Sequence, residues 1–182
     1  MRLTHNPKAC AVSDVPLLNQ GEKHTLVLSH AAPYGILVET GLWAGGGATT
    51  SLVGQIDRCY AIDAQHDNVI AARESGVEAF EGDSAIMLPQ LLERIDRPAC
   101  FWLDAHYVVE GDEFLAAHPC PLLVELAAIQ AWPYARESTV LIDDLRMMGS
   151  PGWPPIEHVR VKVAGWWVRE ESGDIMRLTP RG

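Results

Sequence analysis

Ile36-Leu37-Val38-Glu39-Thr40-Gly41-Leu42-Trp43-Ala44-Gly45-Gly46-Gly47-Ala48-Thr49-Thr50 reads as a buried strand, an acidic strand end, a glycine turn and the start of a helix. Ile36 to Val38 is uninterrupted apolar sequence, the pattern of a strand covered on both faces. Gly41 opens a backbone angle closed to residues with a side chain, and Gly45 to Gly47 let the main chain approach a ligand that a Cβ would push away. A helix opens near Ala48 with Thr49 and Thr50 in its first turn, so its unpaired N–H groups point into the turn.

Such a turn holds a nucleotide-like ligand, and the residue types narrow which one. The nicotinamide fingerprint G-x-G-x-x-G is not met, because three residues separate Gly41 from Gly45. The carboxylate of Glu39 is also the wrong group to set beside a pyrophosphate. It suits a cationic cofactor without phosphate, and S-adenosyl-L-methionine, with its sulfonium and ammonium groups, has that charge pattern.

Outward from the turn, helix and strand alternate. Patterning places helices over 22–33, 48–56, His66–Glu74, 84–95 and 121–132, and strands over 35–39, Arg58–Asp63, 77–80, 99–104 and 138–142. That alternation argues for a parallel sheet with helices on both faces and right-handed crossovers. The tail departs from it: 165–169 and 174–179 are strand candidates separated by Glu170-Glu171-Ser172-Gly173, a turn short enough only for an antiparallel hairpin. The expected fold is α/β, a Rossmann-like doubly wound, mostly parallel sheet ending in a β-hairpin. At 182 residues it forms a single domain over 1–182, in which 1–34 is a short lead-in with one helix. The most linker-like piece, 151–155, is too short to separate domains.

Lys plus Arg is 14 against 24 Asp plus Glu, a net charge of −10 with no basic run, which excludes nucleic acid and anionic membrane as partners. Cys10, Cys59, Cys100 and Cys120 are far apart, without a C-x-x-C pair, so neither zinc nor a disulfide framework is expected. Cys59 and Cys100 fall in apolar runs read as neighbouring buried strands, where a thiol acts as a small hydrophobe. No apolar run reaches the length of a membrane span and the N-terminus carries no signal-peptide core, so a cytoplasmic setting is expected.

In an open parallel sheet the ligand crevice lies beyond the carboxyl ends of the strands. Glu39 ends the first strand, Asp63 the second, Asp104 the fourth and Asp143-Asp144 the fifth, while Gly82-Asp83-Ser84 follows the third. Any one of these acids is readily a cap or turn residue; their concentration on one edge is the signal. Asp63, about 20 residues past the turn, is spaced to accept from ribose hydroxyls. Asp83 and Ser84 are placed to meet the adenine edge, although Ser84 is equally an N-cap. Asp104 and Asp143-Asp144 end strands expected to lie close together, and converging carboxylates repel unless a cation neutralises them. An all-oxygen ligand set favours Mg²⁺, which lowers the pKa of a hydroxyl it holds. His106, in Leu103-Asp104-Ala105-His106-Tyr107, is placed to accept a proton or to touch the acceptor. Trp43 either stacks on cofactor or acceptor or fills space beneath the turn, whereas Trp166 and Trp167 serve packing.

Glu39-Thr40-Gly41-Leu42-Trp43-Ala44-Gly45-Gly46 resembles the E-T-G-V-W-x-G-G signature of the macrocin O-methyltransferase family, a branch of class I S-adenosyl-L-methionine-dependent methyltransferases acting on sugar hydroxyls of antibiotics. Phe101-Trp102-Leu103-Asp104-Ala105-His106-Tyr107, Cys120-Pro121-Leu122-Leu123-Val124-Glu125-Leu126 and Val140-Leu141-Ile142-Asp143-Asp144 resemble related uncharacterised bacterial methyltransferase-like proteins. The resemblance implies an O-methyltransferase acting on a hydroxyl of a small molecule, with Mg²⁺ held by Asp104, Asp143 and Asp144 and with Asp104 as base. Beside it stands the alternative of an adenosylmethionine-binding protein of the same fold without its own transferase activity. With the readings above, the cofactor residues are Glu39, Gly41, Trp43, Gly45, Gly46, Thr49, Asp63, Asp83, Ser84 and Asp104. This chain departs from the family's D-G-D or D-x-D motif, since His106 replaces an acid, so the base is either Asp104 or His106. The segment ahead of the first strand is also short, which reduces the helical lid over the acceptor and makes a site-shielding homodimer compatible with the sequence.

Overall fold

The computed structural model describes residues 17–43, 46–106 and 120–181. Cys10, Gly45 and residues 107–119 lie outside the described residues. The elements are α1 (Gln20–Ala31), β1 (Ile36–Thr40), α2 (Ala48–Leu52), β2 (Arg58–Asp63), α3 (His66–Glu74), β3 (Glu78–Glu81), α4 (Ser84–Leu92), β4 (Cys100–Leu103), α5 (Leu122–Ala131), β5 (Thr139–Ile142), α6 (Ile156–Val163), β6 (Val168–Ser172) and β7 (Ile175–Thr179). They build a seven-stranded sheet in the order β3-β2-β1-β4-β5-β7-β6. The first five strands are parallel, and β7 runs antiparallel to both β5 and β6. This is the expected α/β sheet ending in a hairpin.

Both faces are covered, which is why the central strands are mostly apolar, with polar residues such as Glu39, Thr40 and Thr139 at or near their ends. Side chains alternate across each strand. Val38, Ile62, Phe101, Leu103, Val140 and Ile142 pack against α4, α5 and α6, whereas Leu37, Cys59, Ala61, Cys100 and Leu141 pack against α1, α2 and α3. Cys59 and Cys100 are not on neighbouring strands: both stand opposite Leu37, and β1 runs between them.

Three local expectations change. The helix expected over 48–56 stops at Leu52, because Val53 turns extended and Gly54 takes φ +81°. A helix not anticipated in the sequence covers Ile156–Val163; its apolar residues alternate as in a strand, yet Val159 and Val163, four apart, are buried while Val161 is exposed. The hairpin is displaced towards the C-terminus. Ser172 pairs with Ile175, so Gly173 and Asp174 form the turn, and Trp167 lies buried ahead of β6 with its indole N–H donating to Ala135 and Ser138 carbonyls. The shift makes Asp174 a turn residue.

Candidate active site

Strand register assembles one edge. Thr40 stands beside Leu103, and Leu103 beside Ile142. The parallel ladder continues one step past the strands: the Gly41 N–H donates to the Ile62 carbonyl at 2.9 Å, Asp104 N–H to Thr40 at 2.9 Å and Asp143 N–H to Leu103 at 3.1 Å. The glycine turn, Asp104 and Asp143 therefore leave the sheet side by side. Gly41 is needed at this point, for it has φ +82° and a Cβ there would lie 2.5 Å from the Asp104 carbonyl oxygen.

The turn is fastened from within. Glu39 is buried, and its carboxylate accepts from the Ala48 N–H at 2.7 Å, the Thr49 N–H at 2.8 Å and the Thr49 hydroxyl at 2.5 Å. The acid caps α2, satisfying donors that its Gly47 cap has no side chain to meet. Burial pushes Glu39 up to about 7 in spite of these three donors. Asp63 works from the other side: Oδ2 accepts the Leu42 N–H at 2.5 Å and Oδ1 the Gln65 N–H at 2.6 Å. The Asn68 amide donates to the Leu42 carbonyl at 2.9 Å and holds the turn against α3. Burial raises the Asp63 pKa, partly offset by these donors. Gly46 takes φ +98°, and Trp43 is 67% exposed beside the turn.

On the neighbouring strand end, Asp83 and not Ser84 is the N-cap of α4, accepting from the Ala85 N–H at 2.9 Å. Ser84 is buried as the first helical residue. Its hydroxyl, that of Thr40 and both carboxylate oxygens of Glu125 are buried without a well-formed hydrogen bond among the described residues. Burial drives Glu125 up to about 7, with the nearby Ser84 and Thr40 hydroxyls pulling the other way.

His106 Nδ1 lies 3.4 Å from Asp104 Oδ1, and His106 Nε2 lies 3.4 Å from Asp144 Oδ2. Asp104 is pushed up to about 6, first by burial and then by the charges of Asp143 and Asp144. Burial works to lower His106, but the hydrogen-bonding pull and charge of Asp104, with Asp144 behind it, win and raise it. Asp143 is raised by burial against the lowering pull of Lys23, which lies 2.5 Å from its Oδ2. Asp144 sits at φ 58°, ψ 40°, the one non-glycine residue with positive φ among the described residues, and such conformations gather at functional sites. Arg146 pairs with Asp144 at 2.6 Å and with the buried Asp174. A crevice lined by Leu103, Asp104, His106, Cys120, Glu125 and Trp153 opens here, and the Trp153 ring lies 5.0 Å from that of His106.

The donor set fits a divalent cation. Asp104, His106 and Asp144 each offer an atom within 4.8 Å of the others, as do Asp143, Asp144 and Asp174. Asp104 Oδ1 and His106 Nδ1 are buried and, although 3.4 Å apart, make no well-formed hydrogen bond among the described residues, a state that a ligand would relieve. Structure thus groups Asp104 and Asp144 with His106, and Asp143 with Asp144 and Asp174, so the expected metal set Asp104, Asp143 and Asp144 is divided between two clusters that share Asp144. Glu39 and Asp63 stand one and two strands away as fasteners of the turn. Lys23, Trp153 and Asp174 join the site without any linear motif to announce them, and Glu125 joins from the quoted segment 120–126, where nothing distinguished it as a site residue. Lys23 alone had a signal, a charge four residues ahead of the buried Val27 on a helix.

This strand order, with the crevice at the carboxyl ends and the antiparallel strand inserted next to β5, is the fold of class I S-adenosyl-L-methionine-dependent methyltransferases. The chain is similar to the MycE methyltransferase of the mycinamycin biosynthetic pathway, solved with Mg and S-adenosylhomocysteine (SAH), at 13% identity and TM-score 0.62 over 90% of this chain and 50% of that one. An rRNA methylase from Streptococcus thermophilus matches with 12% identity and TM-score 0.56, covering 91% of this chain and 99% of the other. Human methyltransferase-like protein 13 in complex with SAH matches with 12% identity and TM-score 0.56, covering 87% and 76%. This chain spans about half the length of MycE. No protein-family model and no curated protein sequence matches. At these identities the likeness establishes the fold, and the macrocin O-methyltransferase resemblance stays with the motifs quoted above. Among the described residues no helix is long and apolar enough to cross a membrane.

Proposed function

We propose that this chain is an S-adenosyl-L-methionine-dependent O-methyltransferase acting on a hydroxyl of a small molecule, a sugar by motif resemblance, with Mg²⁺ at the acidic edge. One observation carries the reading: the parallel register that sets Asp104, His106 and Asp143-Asp144 beside the glycine turn of β1. When bound, adenosylmethionine supplies a methyl group on a positively charged sulfur, and the ion lowers the pKa of the hydroxyl it holds. This chain's residues do the rest. Glu39 and Thr49 fasten the start of α2 behind the turn, Gly41, Trp43, Gly45 and Gly46 are assigned to the donor, and Asp63, whose Oδ2 accepts only the Leu42 N–H, offers that oxygen's second lone pair to a ribose hydroxyl. Asp83 and Ser84 border the adenine side. Asp104 and His106 act as one proton-accepting pair, since their ring and carboxylate atoms are 3.4 Å apart and each displaces the other's titration. Asp104, Asp143 and Asp144 supply the hard oxygen ligands that suit Mg²⁺. A net charge of −10 favours a small acceptor over nucleic acid.

MycE has been solved with Mg, SAH and mycinamycin VI, an arrangement consistent with this reading for the present fold. Calorimetry with SAH, with and without Mg²⁺, followed by turnover on a panel of hydroxylated acceptors, tests it. Asp104→Ala is expected to lower turnover by about 10²–10⁴-fold while SAH affinity falls by less than about tenfold. Undetectable SAH binding, or a variant that turns over as fast as the parent, contradicts the proposal.

A further inference from the structure

Lys23 stands on the stripe of α1 that faces the sheet. Lys23, Val27 and Ala31 are spaced four apart, and Val27 and Ala31 are fully buried. A lysine on such a stripe is unusual unless paired. The helix presents it firmly, because α1 begins with a capping box in which Asn19 accepts the Glu22 N–H at 3.0 Å and Glu22 accepts the Asn19 N–H at 2.7 Å. The ammonium reaches Asp143 Oδ2 at 2.5 Å, with 14% of the lysine side chain and 2% of the aspartate exposed. The other oxygen of Asp143 accepts the Asp144 N–H at 2.8 Å. Each oxygen of Asp143 therefore has a donor inside the protein, whereas Asp104 Oδ1 and His106 Nδ1, 3.4 Å apart, make no well-formed hydrogen bond among the described residues.

We propose that Lys23 is a built-in counter-cation that competes with the divalent ion for Asp143. With the ammonium docked, the ion draws its ligands from Asp104, His106 and Asp144; Asp143, which the structure groups with Asp144 and Asp174, joins through its Asp144 neighbour only when Lys23 withdraws. The inference rests on the metal half of the proposed function and not on methyl transfer. Side-chain chemistry supports the division. A lysine ammonium is a point charge on a flexible stem and leaves without moving the backbone, while Arg146 is a planar fork fixed between Asp144 and Asp174. An ammonium and a divalent ion on one carboxylate oxygen repel each other, so the two states exclude one another. Lys23 thereby sets how many carboxylates the ion receives, and with that its affinity.

The test uses the whole chain and Mn²⁺ followed by electron paramagnetic resonance, with Mg²⁺-dependent thermal unfolding as a second readout. Lys23→Met keeps the stem and removes the charge. In EDTA it is expected to unfold below the parent, because Asp143 is left buried and unpaired, and it is expected to bind Mn²⁺ about tenfold more tightly. In the Asp143→Asn background the same substitution is expected to change Mn²⁺ affinity by less than about threefold. Mg²⁺ should raise the melting temperature of Lys23→Met more than that of the parent. A variant that loses stability without any gain in Mn²⁺ affinity shows Lys23 to be a structural tether only, and a full gain that persists beside Asp143→Asn shows that Asp143 is not the contested ligand; either result overturns the inference. SAH calorimetry on the same proteins separates the two proposals. Retained SAH binding with failed metal linkage sinks Lys23 alone, and intact linkage without SAH binding sinks the methyltransferase reading.

Discussion

Replacing Glu125 by glutamine isolates the cost of a buried carboxyl beneath the crevice. Glu125 is 1% exposed, and burial takes it from an ordinary 4.5 to about 7. A folded-state value above the unfolded one means that the folded protein holds the proton more tightly. The stabilisation from that proton is complete below pH 4.5 and is lost as pH rises through about 7. The displacement corresponds to about 3 kcal/mol once both states are ionised. Glutamine has nearly the same shape and no charge, so Glu125→Gln should match the parent at low pH and exceed it by about 3 kcal/mol at pH 8. For a chain of this size that is a difference of roughly 6–12 °C in melting temperature. Urea unfolding of both proteins in EDTA, at intervals from pH 5 to pH 8, measures it. Glu39, Asp63, Asp104 and Asp143 titrate in the same sense, so the quantity to read is variant minus parent. A difference that stays flat across this range, or a variant less stable at pH 8, would refute the claim that the cost of burying Glu125 outweighs the help of the Ser84 and Thr40 hydroxyls.

Other substitutions probe the turn. Gly41→Ala places a Cβ against the backbone of Asp104 and Ala105 at φ +82° and should cost roughly 2–4 kcal/mol in urea unfolding, whereas Gly54→Ala, at φ +81° with open space around it, should cost only about 1–2 kcal/mol. Similar losses at the two sites would mean that strand-end packing plays no part. Glu39→Gln leaves one of the Ala48 and Thr49 donors facing an amide N–H, and should lower stability by roughly 1–3 kcal/mol and weaken SAH binding measured by calorimetry. Unchanged SAH affinity would show that the shape of the turn does not govern the cofactor site.

Much of the fold was legible in the residue order. Arg58–Asp63 and His66–Glu74 match the observed elements at both ends, since a charged or polar residue bounds each apolar run. Where bounds failed, competing signals were of similar strength: Ile156–Val163 alternates like a strand, and Trp166-Trp167 looked like strand sequence although Trp167 is drawn into the core before β6 begins. That slip concealed Asp174, which was assigned to a strand and instead forms the turn beside Arg146. In the site, the acids at strand ends were readable because parallel sheets put ligands there. What each acid does was not, because Glu39 and Asp63 bind backbone N–H groups that no motif specifies.

Residue order by itself determined the alternation of helix and strand, the glycine turn after β1, the closing hairpin and the acidic strand ends, since each follows from local backbone preference and short-range periodicity. Tertiary structure alone decided that β4 lies between β1 and β5, that Lys23 meets Asp143 from 120 residues away, and that Glu125 is sealed under the crevice. Pairing in a sheet and burial of charge depend on contacts between segments distant in the chain, and their energies are set by the geometry in which those segments meet.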